Sequence, residues 1–215
     1  MDDSQNTIPD EFLELKDNRT RLSYAGGENI FKQGAFSPYV LFIISGLARI
    51  YLETGQGKQV NLRIAKTGEF MGLSSVFGES HYLTSAIAMK DTMVCMINKD
   101  SFGILLKDHN DFAMQLTAQN FLNENRMVEI IRSLSYNQMR GKLASAILYL
   151  SDVKFLNEGV FKLLTRQDIA DFASISLESS VRFLKEFEKE NIISLDGREI
   201  VISDQEKLKN IAATG

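Results

Sequence analysis

Cysteine occurs once in this 215-residue chain, at Cys95, and histidine twice, at His81 and His109. One thiol cannot close an internal disulfide, and an iron–sulfur cluster needs about four ligands. Cys95 lies in the apolar, strand-like run TMVCMIN, where a thiol serves as a small core hydrophobe rather than a reactive group. Neither histidine stands in a Cys/His/Glu spacing that would hold a metal. No apolar run approaches the length of about 20 residues that spans a membrane, and the acidic start MDDSQNTIPDEF is unlike the basic opening of an export signal. These absences point to a soluble cytoplasmic protein with neither metal nor cofactor and no membrane partner. An excess of basic residues is missing too: the formal net charge is −4. That argues against indiscriminate nucleic-acid binding and leaves room only for a local basic patch. With no Ser/His/Asp or Cys/His set and no phosphate loop, no catalytic residue is assigned and the chain is not expected to be an enzyme.

What is present changes character along the chain. From Leu22 to Ile97 the runs are short and rich in Val, Ile, Leu, Phe and Tyr, as in YVLFIISGLARIYLE, and glycines punctuate them. Such a texture predicts a sandwich or barrel of strands, with TGQGK at 54–58 as a hairpin turn. Segment 8–20 reads as a short leading helix. From Asp111 to Leu134 there is neither glycine nor proline. Phe112, Leu116, Phe121, Val128, Ile131 and Leu134 recur there at helical steps, predicting one long helix. Its apolar stripe needs a partner: the chain's own strand domain, or the same helix of a second subunit.

After Gln138 the pattern is helix (MRGKLASAILYLSDV), helix (TRQDIADFAS), helix (LESSVRFLKEFEKEN), then two β runs about Asp196-Gly197, a dipeptide suited to a type I′ turn. Thr165 and Asp168 form a capping-box-like start, and Ser176 caps the next helix. On that second helix Ser180, Phe183, Leu184 and Phe187 share the core face, while Glu178, Val181, Arg182 and Lys185 share the opposite one. Glu178 and Arg182, four apart, suit a surface ion pair worth about 0.3–0.5 kcal/mol. They suit groove reading equally well: arginine forks onto guanine, glutamate accepts from cytosine, and outward Leu177 and Val181 fit thymine methyls. The flanks favour reading. Thr165, Arg166 and Gln167 open the preceding helix, where phosphate can be held, with Ser176, Ser179 and Lys185 on the second helix and Arg198 just past the hairpin tip.

The stretch LTRQDIADFASISLESSVRFLKEFEKENII…DGREIVI resembles the winged helix-turn-helix of the Crp–Fnr family of bacterial transcription regulators, whose recognition helix carries E-x-x-x-R, here Glu178 and Arg182. The stretch FKQGAFSPYVLFIISGLARIY…GKQVNLRIAKTGEFMGLSSVF resembles the family's β-roll. The resemblance implies an α+β chain in three parts. A cyclic-nucleotide-binding-like β-roll (a double-stranded β-helix, jelly-roll-like) would span 1–110 as sensor or scaffold, a dimerisation helix 111–136, and a winged helix-turn-helix 137–215. It further implies a homodimer on an inverted repeat of double-stranded DNA, with RNA polymerase as a further partner the family allows. Two positions depart from the family: Leu177 stands where a basic residue often precedes the glutamate, and Ser174 where the turn usually has glycine. The first implies a different operator; the second implies strain if the position needs positive φ.

Cyclic-nucleotide binders of the family hold the ribose with a glutamate and the phosphate with an Arg-Ser pair. Aligned on Gly68, Gly72 and Phe77, those places hold Leu73, Leu83 and Thr84, and the base-contacting pair on the long helix becomes Met127 and Val128. A buried phosphate without a cation carries a heavy desolvation penalty, so cAMP is not expected to bind. Gly72, Leu73, Leu83, Thr84, Met127 and Val128 then outline either an apolar effector pocket or, by preference, a filled core, and the effector, if any, is unknown. The family's cluster-based oxygen sensors need more cysteines, and nothing supports His81 as a haem ligand. The alternatives are a regulator binding a cyclic nucleotide in a non-standard way, and a dimeric interaction module that has lost DNA binding, a reading suggested by the acidic EFEKE.

Overall fold

The computed structural model describes residues 19–55 and 57–215. Residues 8–18 of the expected leading helix lie outside the described residues, and 19–20 open a strand instead. Eight strands come first: β1 (Arg19–Tyr24), β2 (Asn29–Phe31), β3 (Tyr39–Ser45), β4 (Leu47–Gly55), β5 (Lys58–Lys66), β6 (Phe70–Met71), β7 (Ser85–Ala88) and β8 (Thr92–Asn98). They form two four-stranded sheets, ordered β1-β8-β3-β6 and β2-β7-β4-β5. A 3-10 turn, Leu73–Phe77, follows β6. The expected hairpin at 54–58 joins β4 to β5.

Alternation along β3 explains why VLFII, Val40 to Ile44, is apolar without a break. Leu41 and Ile43 face one core with Ile30, Phe31, Ile50, Met71 and Val94. Val40, Phe42 and Ile44 face a second core with Cys95, Ile97 and Phe70. Successive side chains point to opposite faces, so a strand covered on both must be apolar throughout. The second core is closed by Phe102 and Leu105 of α1 (Lys99–Asp108) and by Phe112 and Leu116 of α2 (Asn110–Tyr136). Cys95 is buried there, and burial raises its thiol pKa against the smaller opposing effects of Arg19 and Arg21.

The long helix α2 has 27 residues, about 40 Å at 1.5 Å per residue. Its expected stripe divides. Phe112 and Leu116 are buried, whereas Phe121, Val128, Ile131 and Leu134 are exposed. Two compact units part between Arg126 and Met127, within this helix. No helix among the described residues is long and apolar enough to cross a membrane.

The second unit holds α3 (Met139–Leu150), two one-turn helices α4 (Val153–Leu156) and α5 (Val160–Leu163), α6 (Arg166–Ala173), α7 (Leu177–Lys189), the hairpin β9 (Ile193–Asp196) and β10 (Glu199–Ile202), and α8 (Gln205–Thr214). The sequence reading did not include α8. Its start signal is Asp204, whose carboxylate accepts from Lys207 N at 2.9 Å. α8 lies close on α3 because position 141 is glycine: a Cβ there would stand 2.7 Å from Gly215 Cα and 3.0 Å from Ile211 O.

Candidate nucleic-acid interface

Helix α6 begins as its sequence requires. Asp168 N donates to Thr165 Oγ1 at 3.1 Å, and Thr165 N donates to Asp168 Oδ2 at 2.8 Å, a complete capping box. α6 ends at Ser174, in the left-handed region with φ 52 and ψ 44. Ile175 N reaches back to Ala170 O at 3.1 Å, closing the turn. The departure from glycine therefore falls where a Cβ is disfavoured. Ser176 then caps α7 by accepting from Ser179 N at 3.1 Å, and its hydroxyl donates to Ser179 Oγ at 3.0 Å.

Ser180, Leu184 and Phe187 of α7 are buried, as are Ile169, Ala170 and Phe172 of α6. Phe183 departs from the expected core face. It is half-buried, with the Arg182 guanidinium 4.6 Å from its ring centre. Leu177, Glu178, Arg182 and Lys185 are exposed and Val181 is half-buried, so α7 presents an acid, two bases and two aliphatic groups outward. Among the described residues no ion pair joins Glu178 to Arg182; Arg182 Nε lies 3.9 Å from Glu186 Oε1 instead.

The hairpin differs from expectation by one residue. Asp196 pairs with Glu199, so the two-residue turn is Gly197-Arg198, with positive φ at Gly197 but at neither Arg198 nor Asp196. A type I′ turn about Asp196-Gly197 would need positive φ at both. The shift puts exposed Arg198 at the tip itself. The polar residues opening α6 are partly committed. Gln167 Nε2 donates to Asp171 Oδ1 at 2.7 Å. Arg166 donates to the carbonyls of Gly197 at 2.7 Å and Arg198 at 3.4 Å. Its burial lowers the Arg166 pKa, and the nearby Glu188 carboxylate opposes this.

In the first unit, the cyclic-nucleotide positions do not gather into the filled core expected of them. Leu73 packs on the cluster containing Phe102, Phe112 and Leu116. Leu83 is 54% exposed and Thr84 half-buried; in the second unit Val128 is 64% exposed and Met127 half-buried. The roll interior is instead filled by a residue the sequence reading passed over. Tyr82 is 6% exposed. It stacks on Phe31 at 4.3 Å between ring centres, and its hydroxyl donates to Tyr39 O at 3.0 Å. Gly72 makes this fit: its φ is 73, and a Cβ would stand 2.8 Å from Tyr82 Cε1. Ser80, His81, Thr84 and Ser85, which flank Tyr82, are polar, so no local apolar pattern announces its burial. An open cleft of about 540 Å³ includes only Leu73 of the cyclic-nucleotide positions and is lined besides by Phe77, Leu116 and Phe121 among others. Among the described residues no three His, Cys, Asp or Glu side chains group as a metal site.

Comparison with known proteins agrees with this geometry. The family model for the cyclic nucleotide-binding domain matches residues 21–109, and that for the Crp-like helix-turn-helix domain matches residues 141–211. The cAMP-activated global transcriptional regulator CRP of Escherichia coli O6:H1 is 26% identical over 183 residues, 83% of this chain and 87% of that protein. Electron transport regulator A of Shewanella oneidensis is 28% identical over 194 residues, 86% and 76% of the two chains. The structure of FixK2 from Bradyrhizobium japonicum superposes with a TM-score of 0.73 at 23% identity, covering 92% of this chain and 98% of that one. A cyclic-nucleotide-binding-type β-roll, a long helix and a Crp-like winged helix-turn-helix follow one another in a single chain, which therefore belongs to the Crp–Fnr family of DNA-binding transcription regulators.

Proposed function

We propose that this regulator works as a homodimer joined along α2, presenting two copies of α7 about 34 Å apart to successive major grooves of an inverted repeat. The observation that carries the reading is the apolar stripe left open on α2: Phe121 is 59% exposed and Val128 64%, with Ile131 and Leu134 beside them in the stripe. An exposed apolar stripe of this length calls for a partner, and an identical helix supplies one with matching chemistry. The division into a sensor or scaffold at 1–110, a dimerisation helix at 111–136 and a reader at 137–215 belongs to the same proposal, as does cytoplasmic action beside RNA polymerase.

In this reading Leu177, Glu178, Val181 and Arg182 read base edges. Thr165, Gln167, Ser176, Ser179, Lys185 and Arg198 face phosphates. No catalytic role is part of it. The roll acts without cAMP: Leu73 and Leu83 supply neither the ribose acceptor nor the phosphate cation, and Tyr82 takes up interior space. The likeness to a cAMP-activated regulator keeps a cyclic-nucleotide response as the second reading. Light scattering on Phe121→Glu tests the first. The wild type is expected as a dimer at micromolar concentration and the variant as a folded monomer; a monomeric wild type overturns it. Calorimetry with cAMP and cGMP separates the two readings, because a micromolar dissociation constant for either nucleotide supports the second.

A further inference from the structure

The wing consists of two strands of four residues each. A two-stranded hairpin of that size is marginal on its own and needs outside ties. Two side chains of the helix-turn-helix supply them. Glu188, near the end of α7, accepts from Leu195 N at 3.2 Å through Oε1. Arg166, at the start of α6, donates from Nη2 to Gly197 O at 2.7 Å and from Nη1 to Arg198 O at 3.4 Å. The two ties grip the hairpin at different heights, one on β9 and one at the turn. Both carbonyls at the tip would otherwise face water, and the planar guanidinium is the one basic side chain whose donors are fixed in a fork.

We propose that Arg166 is a positioning residue that clamps the wing tip to the start of α6, so that it sets where Arg198 meets the DNA backbone rather than serving mainly as a phosphate contact itself. The proposal rests on the reading of Arg198 as a phosphate contact. The two are separable, because the clamp exists without DNA and the contact does not. A direct phosphate contact by Arg166 would be independent of Arg198, and their losses would add. A clamp makes them dependent: once Arg198 is gone, there is little left at the tip to position.

The test uses the full-length protein and a random-sequence 40-base-pair duplex, with affinity read by fluorescence anisotropy across salt concentrations. Arg198→Ala is expected to flatten the salt dependence by about one unit. Arg166→Gln alone is expected to weaken binding comparably to Arg198→Ala, yet to change affinity less than about twofold when added to Arg198→Ala. Arg166→Lys, which keeps the charge and loses the fork, should fail to rescue, whereas a point-charge contact to phosphate would tolerate lysine. In parallel, hydrogen exchange without DNA should be about tenfold faster across 194–202 in Arg166→Gln, with α7 peptides unchanged. Additive losses with rescue by lysine, or wing exchange equal to wild type, overturn the clamp. Faster wing exchange with no effect of Arg198→Ala on DNA supports the clamp and removes the phosphate reading of Arg198.

Discussion

Arg182 reaches toward Glu186, one turn further along α7, and not toward Glu178, one turn earlier: Nε of Arg182 is 3.9 Å from Oε1 of Glu186. Both side chains are well exposed, at 59% and 41%, so the pair contributes little to stability, of order 0.2–0.5 kcal/mol. Glu178→Gln should leave the thermal midpoint unchanged. Arg182→Ala should cost about 1–3 kcal/mol of binding on the true operator and far less on random DNA. Anisotropy at matched salt on both duplexes checks this, and an unchanged operator preference removes Arg182 from the reader. Glu186→Gln frees the guanidinium and should tighten operator binding slightly.

Ser174 holds a left-handed conformation that glycine adopts without a steric penalty, φ 52. The cost of that conformation for a residue with a Cβ is about 1–2 kcal/mol, partly offset by the greater unfolded-chain entropy of glycine. Ser174→Gly should therefore stabilise the second unit by about 0.5–1 kcal/mol, and urea unfolding followed by circular dichroism reads the difference. A loss of stability would mean that the serine hydroxyl contributes more than the backbone strain removes.

Tyr82 tests how the roll interior is held. Tyr82→Phe keeps the ring on Phe31 and loses the hydroxyl with its bond to Tyr39 O, so about 1 kcal/mol should be lost. Tyr82→Ala empties the stack and should cost about 3–5 kcal/mol, with a lowered midpoint in calorimetry. Equal costs for the two substitutions would show that the stack contributes nothing beyond the hydroxyl.

Arg140 of α3 bonds both carboxylate oxygens of Glu190, at 2.7 and 2.8 Å, and Lys207 of α8 stands 3.5 Å from the same carboxylate. The hydrogen bond from Arg140 leads in lowering the Glu190 pKa. A carboxyl whose folded pKa is depressed contributes stability that is present above its unfolded value and lost as pH falls through the folded one. Glu190→Gln should lower the melting temperature at pH 7, and the gap to wild type should close as pH falls below the usual carboxylate range of about 4. A gap independent of pH would assign the loss to packing rather than charge.

Much of this was legible in the residues. Thr165 and Asp168, three apart, announced the start of α6, and that spacing is what a capping box geometrically requires. The apolar steps on α7 located its buried face because helical periodicity leaves few alternatives. The misses have a common cause: each depended on something outside the local pattern. Phe183 fits the apolar period but sits at the edge of the buried stripe, where the Arg182 guanidinium covers it. The turn at Gly197-Arg198 was displaced because strand register, fixed by Asp196 opposite Glu199, outranked a favourable dipeptide. The bonds of Arg166 to carbonyls 31 and 32 residues away likewise follow from no sequence pattern. Tyr82 carries no local mark of its place inside the roll, because its partners Phe31 and Tyr39 lie far from it in sequence.

β3 is apolar on both faces, and that makes it a party wall. One room lies between the sheets and holds Leu41, Ile43 and Tyr82; the other lies under the two helices and holds Phe42, Phe102 and Phe112. Packed interiors resist compression, so the wall cannot yield toward one room without opening a void in the other. The roll's interior and the first turns of α2 thereby share a single boundary, whose position each side fixes for the other.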